Sequence, residues 1–318
     1  MNLHWQPLRI EDAEAWSELS KAIAAEDRHH WIVSPQNAKD RLSSPNLDRE
    51  ADTWAVWDGD NLVAYAISSV ADAPRFDGKV HSYLTGGVHP KWRGRGIGTE
   101  LLARVNQRAA SALRAKYPDV PKVLFIESGD DLDPAIGLLT DNGFEISRHF
   151  HDMERDAKSA ACLPDRSHPH EGIVVRPLTP DDEEQTRLAH NDAFRTHWGT
   201  APSSVQEWHD DFDEGRIDFS RSRIAVTDDG RVLAYVLVST TKPERPYVEL
   251  VGSREEARGM GLGRATLTES LRVLAADPQV QTIALDVDAE NPSGAVKLYK
   301  DLGFEITRTW SALEKPID

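Results

Sequence analysis

Arg258-Gly259-Met260-Gly261-Leu262-Gly263 is followed by a helix-like run from Arg264 to Ala275. The same pattern stands earlier in the chain, at Arg93-Gly94-Arg95-Gly96-Ile97-Gly98, followed by Thr99 to Ala112. Each copy reads as an extended segment, a tight glycine turn and the first turn of an amphipathic helix. Glycine removes the Cβ atoms that would block close approach, so several backbone N–H groups can converge on one anion. The helix N-terminus adds about half a positive charge at the same point. The expected ligand is a pyrophosphate. A dinucleotide turn would be spaced G-x-G-x-x-G, and a Walker loop would need Gly-Lys-Ser/Thr. Neither copy has either pattern.

Both turns match R-x-x-G-x-G, and in this they resemble the phosphate-binding motif of the GNAT (Gcn5-related N-acetyltransferase) superfamily. The resemblance implies that the bound pyrophosphate belongs to coenzyme A and that acetyl-CoA is the cofactor. It extends over nearly all of both halves, because the chain repeats itself. Gln6-Pro7-Leu8 returns as Arg176-Pro177-Leu178, and Val56–Tyr65 returns as Val226–Tyr235, both offset by 170 positions. The glycine turn repeats at 165 (258 against 93), and Gly143-Phe144-Glu145-Ile146 returns as Gly303-Phe304-Glu305-Ile306 at 160. A domain-sized period means two tandem copies rather than a solenoid. The drifting offset places the length changes in surface loops.

Each copy reads β-α-α-β-β-β-α-β-α-β, which implies an α/β fold of two tandem GNAT domains, each a mixed twisted sheet flanked by helices. The expected domains are 1–155 and 173–318, joined by a linker at 156–172 that is rich in Ala, Ser, Pro and His. Cys162 in that linker reads as a passive thiol. His168 and His170 have no further ligands to make a metal site.

At 318 residues, 39% hydrophobic and 28% charged, the chain has enough apolar residues for two cores. Its net charge of −16 argues against nucleic acid as a partner. It also makes the arginines of the two turns local basic islands. No apolar run approaches the length of a membrane span. The first residues lack the basic-then-apolar order of a signal peptide. A lone cysteine fits a reducing compartment. The chain is expected to be cytoplasmic and a monomer whose halves form an internal pseudo-dimer.

The second copy carries Asn291-Pro292-Ser293-Gly294-Ala295-Val296-Lys297-Leu298-Tyr299. The resemblance implies that such a helix sets its tyrosine beside the thioester sulfur, with Asn291 assisting through its side chain. A thiol's pKa is about 8.5 and a phenol's about 10, so at neutral pH tyrosine remains protonated and can protonate a departing thiolate. The strand entering the glycine turn contains Glu249 amid apolar residues. A carboxylate there is costly unless it faces a wet cleft, so it is the candidate base for the attacking amine. Val251, Gly252 and Ser253 would hold the pantetheine amides by a strand-like ladder. Arg258, Gly259, Met260, Gly261, Leu262, Gly263 and Arg264 would seat the pyrophosphate.

In the first copy Val88, Arg93, Gly94, Arg95, Gly96, Ile97, Gly98 and Thr99 form the equivalent seat. Aligning the Gly-Phe pairs, however, puts Leu139 at the place of Tyr299 and Asp131 at that of Asn291. Leucine donates no proton, so this copy is expected to be catalytically degenerate, with His81, Tyr83 and Glu127 as the groups left to compensate. The helices and loops that cover the acceptor cleft in this fold hold Phe194, His197, Trp198, Trp208 and His209, and in the first copy Glu26 to Trp31. Taken together, the sequence is similar to mycothiol synthase-like double-GNAT enzymes. The expected activity is acetyl-CoA-dependent acetylation of a small primary amine in the C-terminal half. The alternative is an acyl-CoA-binding sensor without turnover.

Overall fold

A computed structural model of the chain describes residues 3–27, 32–129, 134–213 and 217–318. The first copy runs β1 (Leu3–Gln6), α1 (Ala13–Asp27), α2 (Pro35–Ser43), α3 (Arg49–Asp52), β2 (Thr53–Asp58), β3 (Asn61–Val70), β4 (Val80–Val88), α4 (Ile97–Lys116), β5 (Lys122–Ser128), α5 (Pro134–Asp141) and β6 (Glu145–Asp156). The second runs β7 (Ile173–Pro177), α6 (Glu183–Ala193), α7 (Val205–Asp213), β8 (Arg223–Thr227), β9 (Val232–Ser239), β10 (Tyr247–Ser253), α8 (Leu262–Ala276), β11 (Thr282–Asp288), α9 (Ala295–Asp301) and β12 (Glu305–Ile317). Both copies have the α/β order read from the sequence, with the single-turn α3 added in the first.

Local chemistry accounts for the elements. Ser34 caps α2 by accepting from the Asn37 N–H at 3.1 Å, with Pro35 in the first turn. β9 is apolar along nearly its whole length and buried at every residue, as a strand covered on both faces must be. Among the described residues no helix is long and apolar enough to cross a membrane.

The chain folds as two compact units, and neither is a continuous piece of sequence. Unit 1 comprises Met1–Pro74, Gly78–Arg148 and Trp310–Asp318; unit 2 comprises Arg75–Asp77 and His149–Thr309. The sheet of unit 1 runs β1-β2-β3-β4-β5 and is continued by the end of β12, paired from Ser311↔Ser128 to Ile317↔Lys122. The sheet of unit 2 runs β7-β8-β9-β10-β11 and is continued by β6, paired from Thr282↔Asp156 to Asp288↔Phe150. This differs from a division at residue 155. Each copy's last strand closes the open edge left by β5 or β11 of the other, where unpaired N–H and C=O groups would otherwise remain.

A cation accompanies each exchanged strand. Arg155 on β6 donates to the Leu302 carbonyl at the end of α9 and lies 5.7 Å from the Phe304 ring centroid. Lys315 on β12 donates to the Asn142 carbonyl just past α5 at 2.8 Å and lies 5.9 Å from the Phe144 centroid. Terminal helix carbonyls are natural acceptors for such cations.

Within each unit the sheet is covered on both faces. In unit 1, α4 packs Ile97, Leu101, Val105, Ala109 and Leu113 on one face, while Trp16, Leu19 and Leu42 pack on the other. In unit 2, Leu267, Leu271 and Leu274 of α8 meet Val248, Leu285 and Phe304, and Ala189 and Trp208 cover the opposite face. The segment expected as a linker packs against α8. Ala157 and Ala160 are buried in the α8 core. The Arg166 N–H donates to Glu269 Oε1 at 2.5 Å, and a His170 ring nitrogen lies 2.7 Å from the Met260 carbonyl. Cys162 is an exposed free thiol.

Candidate active site

The site in unit 2 begins where two parallel strands part. β10 and β11 pair only at Tyr247↔Ala284 and Val248↔Leu285. Beyond that fork β10 keeps its ladder with β9 alone, so the backbone of residues 249–253 has one open edge. The β9–β10 register slips between Val248 and Leu250, which makes Glu249 the extra residue of a bulge. A bulge bends its strand and re-aims the side chains on it. Glu249 is half-buried there. In unit 1, β4 and β5 pair from Val80↔Lys122 to Leu84↔Ile126 and then part likewise, but the β3–β4 register runs without a slip. Thr85 follows the fork where unit 2 has Glu249.

Gly252 lies against the fully buried Tyr235, whose hydroxyl is 2.7 Å from His190 Nδ1. A Cβ at position 252 would come within 2.4 to 2.7 Å of the Tyr235 ring and hydroxyl. His190 stacks on Phe194 with centroids 4.6 Å apart and meets Trp208 at 4.9 Å. Burial pushes its pKa down to about 4, so the imidazole is neutral at pH 7. Of the aromatic and polar groups expected over the acceptor cleft, Phe194 and Trp208 therefore belong, together with His190, to the core under α6. His209 pairs with Glu183 at the surface. Trp198 differs: it faces Phe150 at 6.3 Å and takes Arg75 over its ring at 5.6 Å. In the first copy Arg28, His29, His30 and Trp31 lie outside the described residues, as does Asp131.

In the glycine turn, Gly259 and Gly261 have φ of +81° and +74°, and a Cβ at either would meet nothing within 4 Å. The turn therefore faces open space, and the left-handed Gly261 starts α8. The first bond back into the turn is from Ala265 N–H to the Gly261 carbonyl at 2.9 Å. Among the described residues no acceptor takes the N–H groups of Gly261, Leu262, Gly263 and Arg264. Four unclaimed donors at a helix start, next to the one-sided strand edge of Val251–Ser253, fit a pyrophosphate with an amide-bearing arm. Unit 1 repeats the geometry: Gly94 and Gly96 have φ of +71° and +79°, and α4 starts at Ile97. Among the described residues its N–H groups from Gly96 to Thr99 are equally unclaimed.

The arginines of these turns have protein partners. Arg93 makes a bidentate pair with Asp27 at 2.7 Å and donates to the Val88 carbonyl at 3.1 Å. Arg95 donates to the Lys91 carbonyl at 2.9 Å. Arg258 donates to the Ala193 carbonyl at 3.1 Å, and Arg264 pairs with Asp301 on α9 at 2.8 Å. Arg93 and Arg258 thus tie each turn to the end of the first helix of its copy, α1 or α6, and the donors that the turn leaves unclaimed are main-chain N–H groups.

Tyr299 lies on α9, 6% exposed, with its ring 6.0 Å from Phe304. Burial, helped by the Asp286 carboxylate, pushes its pKa well above the ordinary 10. Among the described residues its hydroxyl has no hydrogen-bond partner. Asn291 accepts from the Ser293 N–H at 2.9 Å and so shapes the turn before α9. Its counterpart helix carries Leu139, 3% exposed in the core of unit 1. His81 meets Phe125 edge-on at 5.8 Å, and Tyr83 donates to Glu127 Oε2 at 3.0 Å. No group of three metal-ligating side chains occurs among the described residues.

One constellation escapes a reading of the sequence. Tyr247 donates to Asp286 Oδ1 at 2.5 Å across the fork. The strands that carry these two residues are 39 positions apart, and the bulge hides the register that pairs Tyr247 with Tyr83. The discoverable signal is the carboxylate two positions past each tyrosine's partner, Asp286 past Ala284 and Glu127 past Phe125.

Comparison with known proteins agrees with the geometry. The acetyltransferase (GNAT) family model matches residues 7–144 and 184–304. The mycothiol acetyltransferase of Paenarthrobacter aurescens is 28% identical over 262 residues, 78% of this chain and 74% of that protein. That of Kineococcus radiotolerans is 30% identical over 225 residues, covering 70% and 68%. A GCN5-related N-acetyltransferase from Sphaerobacter thermophilus superposes with a TM-score of 0.77 at 24% identity, covering 99% of this chain and 95% of that one. A tandem GNAT protein from the clavulanic acid biosynthesis pathway does so with 0.69 at 22% identity, covering 99% and 98%. With the cradle, the forked strands and these matches in both halves, the chain belongs to the GNAT acetyltransferase family: it is an N-acetyltransferase with two tandem GNAT domains, similar to mycothiol acetyltransferases.

Proposed function

We propose that unit 2 transfers the acetyl group of acetyl-CoA to the primary amine of a small molecule. The observation that carries this reading is the junction of three features in one unit: the open cradle at Gly261–Arg264, the bulged Glu249 at the fork, and the Tyr299 hydroxyl without a protein partner. Acetyl-CoA, when bound, supplies an acetyl group activated as a thioester. The N–H groups from Gly261 to Arg264 would hold its pyrophosphate, with Arg258 and Arg264 bracing the turn through Ala193 and Asp301. The open edge of Val251, Gly252 and Ser253 would take the pantetheine amides, and Asn291 shapes the turn that presents α9.

Glu249 takes the proton that the amine must lose as its nitrogen bonds to the acetyl carbon. Tyr299 gives its proton to the sulfur as the carbon–sulfur bond breaks. The raised pKa of Tyr299 keeps it a donor across the physiological range. Replacing Tyr299 by Phe keeps the ring that packs on Phe304 and removes only the hydroxyl. It should lower kcat by about 10²–10⁴-fold with acetyl-CoA affinity unchanged. Unaltered turnover with chemistry rate-limiting would remove the acid role.

For unit 1 we infer binding without transfer. Val88 and the turn from Arg93 to Thr99 offer the same donors, while Leu139 supplies no proton and Thr85 no base. Isothermal titration with coenzyme A tests this: two sites in the wild type, one of them lost in Gly96→Val and the other in Gly261→Val. A single site lost in Gly261→Val would leave unit 1 with an architectural role.

A further inference from the structure

The fork of unit 2 holds a second carboxylate. Val248↔Leu285 is the last ladder pair between β10 and β11, so Glu249 and Asp286 are the first residues beyond it on either strand. Asp286 is partly buried, and of the described side chains only Tyr247 hydrogen-bonds it, at Oδ1. Unit 1 builds the same dyad in the same register. Tyr83 pairs with Phe125, Glu127 is the first residue of β5 past the fork, and the tyrosine again donates to the carboxylate. A packing accident would not recur at equivalent positions of two sequences this far diverged.

We propose that Asp286, fixed by the Tyr247 hydroxyl, is a positioning residue that receives the acceptor as its ammonium ion and presents the nitrogen to Glu249, which takes one proton to free the lone pair, while the second proton, lost as the nitrogen–carbon bond forms, replaces on the Tyr299 oxygen the one given to the sulfur. The inference rests on the acetyl-transfer reading and narrows its substrate class to small primary alkylamines that are cationic at neutral pH. The surroundings favour a cation. Burial raises the pKa of Asp286, Asp152 raises it further, and Tyr247 and His197 oppose the rise. Burial and the neighbouring carboxylates hold the Tyr247 phenol far above its ordinary 10, so it remains the donor and the carboxylate the acceptor. Asp286 and the nearby Asp152 repel one another, and a positive charge entering beside Asp286 relieves that repulsion. An ammonium supplies that charge along with three donors.

The test compares 1,5-diaminopentane with its neutral isostere 1,5-pentanediol, titrated calorimetrically into the full chain loaded with coenzyme A. The wild type should prefer the diamine. Asp286→Asn retains an acceptor for Tyr247 and removes the charge, so it should weaken diamine binding by about 10- to 100-fold and leave diol binding within about twofold. Tyr247→Phe frees the carboxylate without discharging it and should weaken diamine binding by about 3- to 10-fold; it decides the matter should Asp286→Asn fail to fold. Equal affinity of the wild type for diamine and diol, undiminished diamine binding in the variants, or equal losses for both ligands would overturn the proposal. Thiol release from acetyl-CoA across a panel of alkylamines tests the parent reading separately. Selective diamine binding without any thiol release sinks acetyl transfer and leaves the ammonium anchor standing, whereas wild-type-like release by Asp286→Asn sinks the anchor alone.

Discussion

Gly252→Ala probes the packing behind the cradle. The added methyl would sit 2.4 Å from Tyr235 Cε1, 2.6 Å from Cζ and 2.7 Å from the hydroxyl. Ordinary contact begins near 3.4 Å, so the ring must retreat by about 1 Å in a core packed to crystal density. It has little room to do so. Tyr235 is fully buried, and its hydroxyl is tied to a His190 that is itself stacked on Phe194. Overpacking costs about 1–3 kcal/mol, and breaking the Tyr235–His190 bond adds about 0.5–1.5 kcal/mol. At about 2–4 °C per kcal/mol, the melting temperature should fall by about 3–18 °C. Gly87→Ala in unit 1 is the internal control. Its methyl would meet the movable end of Ile23 at 2.6 Å and Tyr65 only at 3.6 Å, so a rotamer change of about 0.5–1.5 kcal/mol should absorb it. Scanning calorimetry on both variants, and on Gly252→Ala combined with Tyr235→Leu, reads the difference. The pair should couple favourably by about 0.5–3 kcal/mol. Because the displaced residue lies on the proposed pantetheine edge, KM for acetyl-CoA should rise about tenfold, equivalent to about 1.4 kcal/mol. Equal stability of Gly252→Ala and Gly87→Ala, with no coupling to Tyr235, would refute the reasoning.

His190 makes unit 2 acid-sensitive. Its pKa is about 4 folded against 6.5 unperturbed, so the unfolded chain binds more protons between those values. Stability should therefore be full above about pH 6.5 and fall by about 1.4 kcal/mol per pH unit towards pH 4; denaturant melts across that window should lose this slope in His190→Gln. Arg155→Met leaves the Leu302 carbonyl unmet and should cost about 1–3 kcal/mol. The loss should register in the hydrogen exchange of unit 2, although Arg155 belongs to the first sequence copy. Lys315→Met should correspondingly loosen unit 1; effects confined to each residue's own copy would contradict the strand exchange. Gly261→Ala meets no steric contact but forces a Cβ into the left-handed region at about 1–2 kcal/mol, so titration calorimetry should show acetyl-CoA affinity lost out of proportion to a small shift in melting temperature.

The duplication, the alternation of strands and helices, both glycine turns, Tyr299 and the loss of its counterpart at Leu139 were legible in the residues. Each depends on neighbours a few positions away: a positive φ wants glycine, a helix face wants apolar residues three and four apart, and a motif keeps its spacing. Glu249 was visible as a carboxylate among apolar strand residues, but its place as the extra residue of a bulge was not, since a bulge is defined against the partner strand. The arginines of the turns read as local basic islands, and their partners were not legible: Arg93 is drawn to Asp27 and Arg258 to the Ala193 carbonyl. The strand that closes each sheet comes from the other copy, an outcome the repeat cannot reveal because either strand would suit either edge. The Tyr247–Asp286 dyad likewise exists only once β10 lies beside β11. Contacts within a turn of helix or a few residues of strand are written in local order, whereas contacts between distant segments depend on which edges meet, and the folded chain alone decides that.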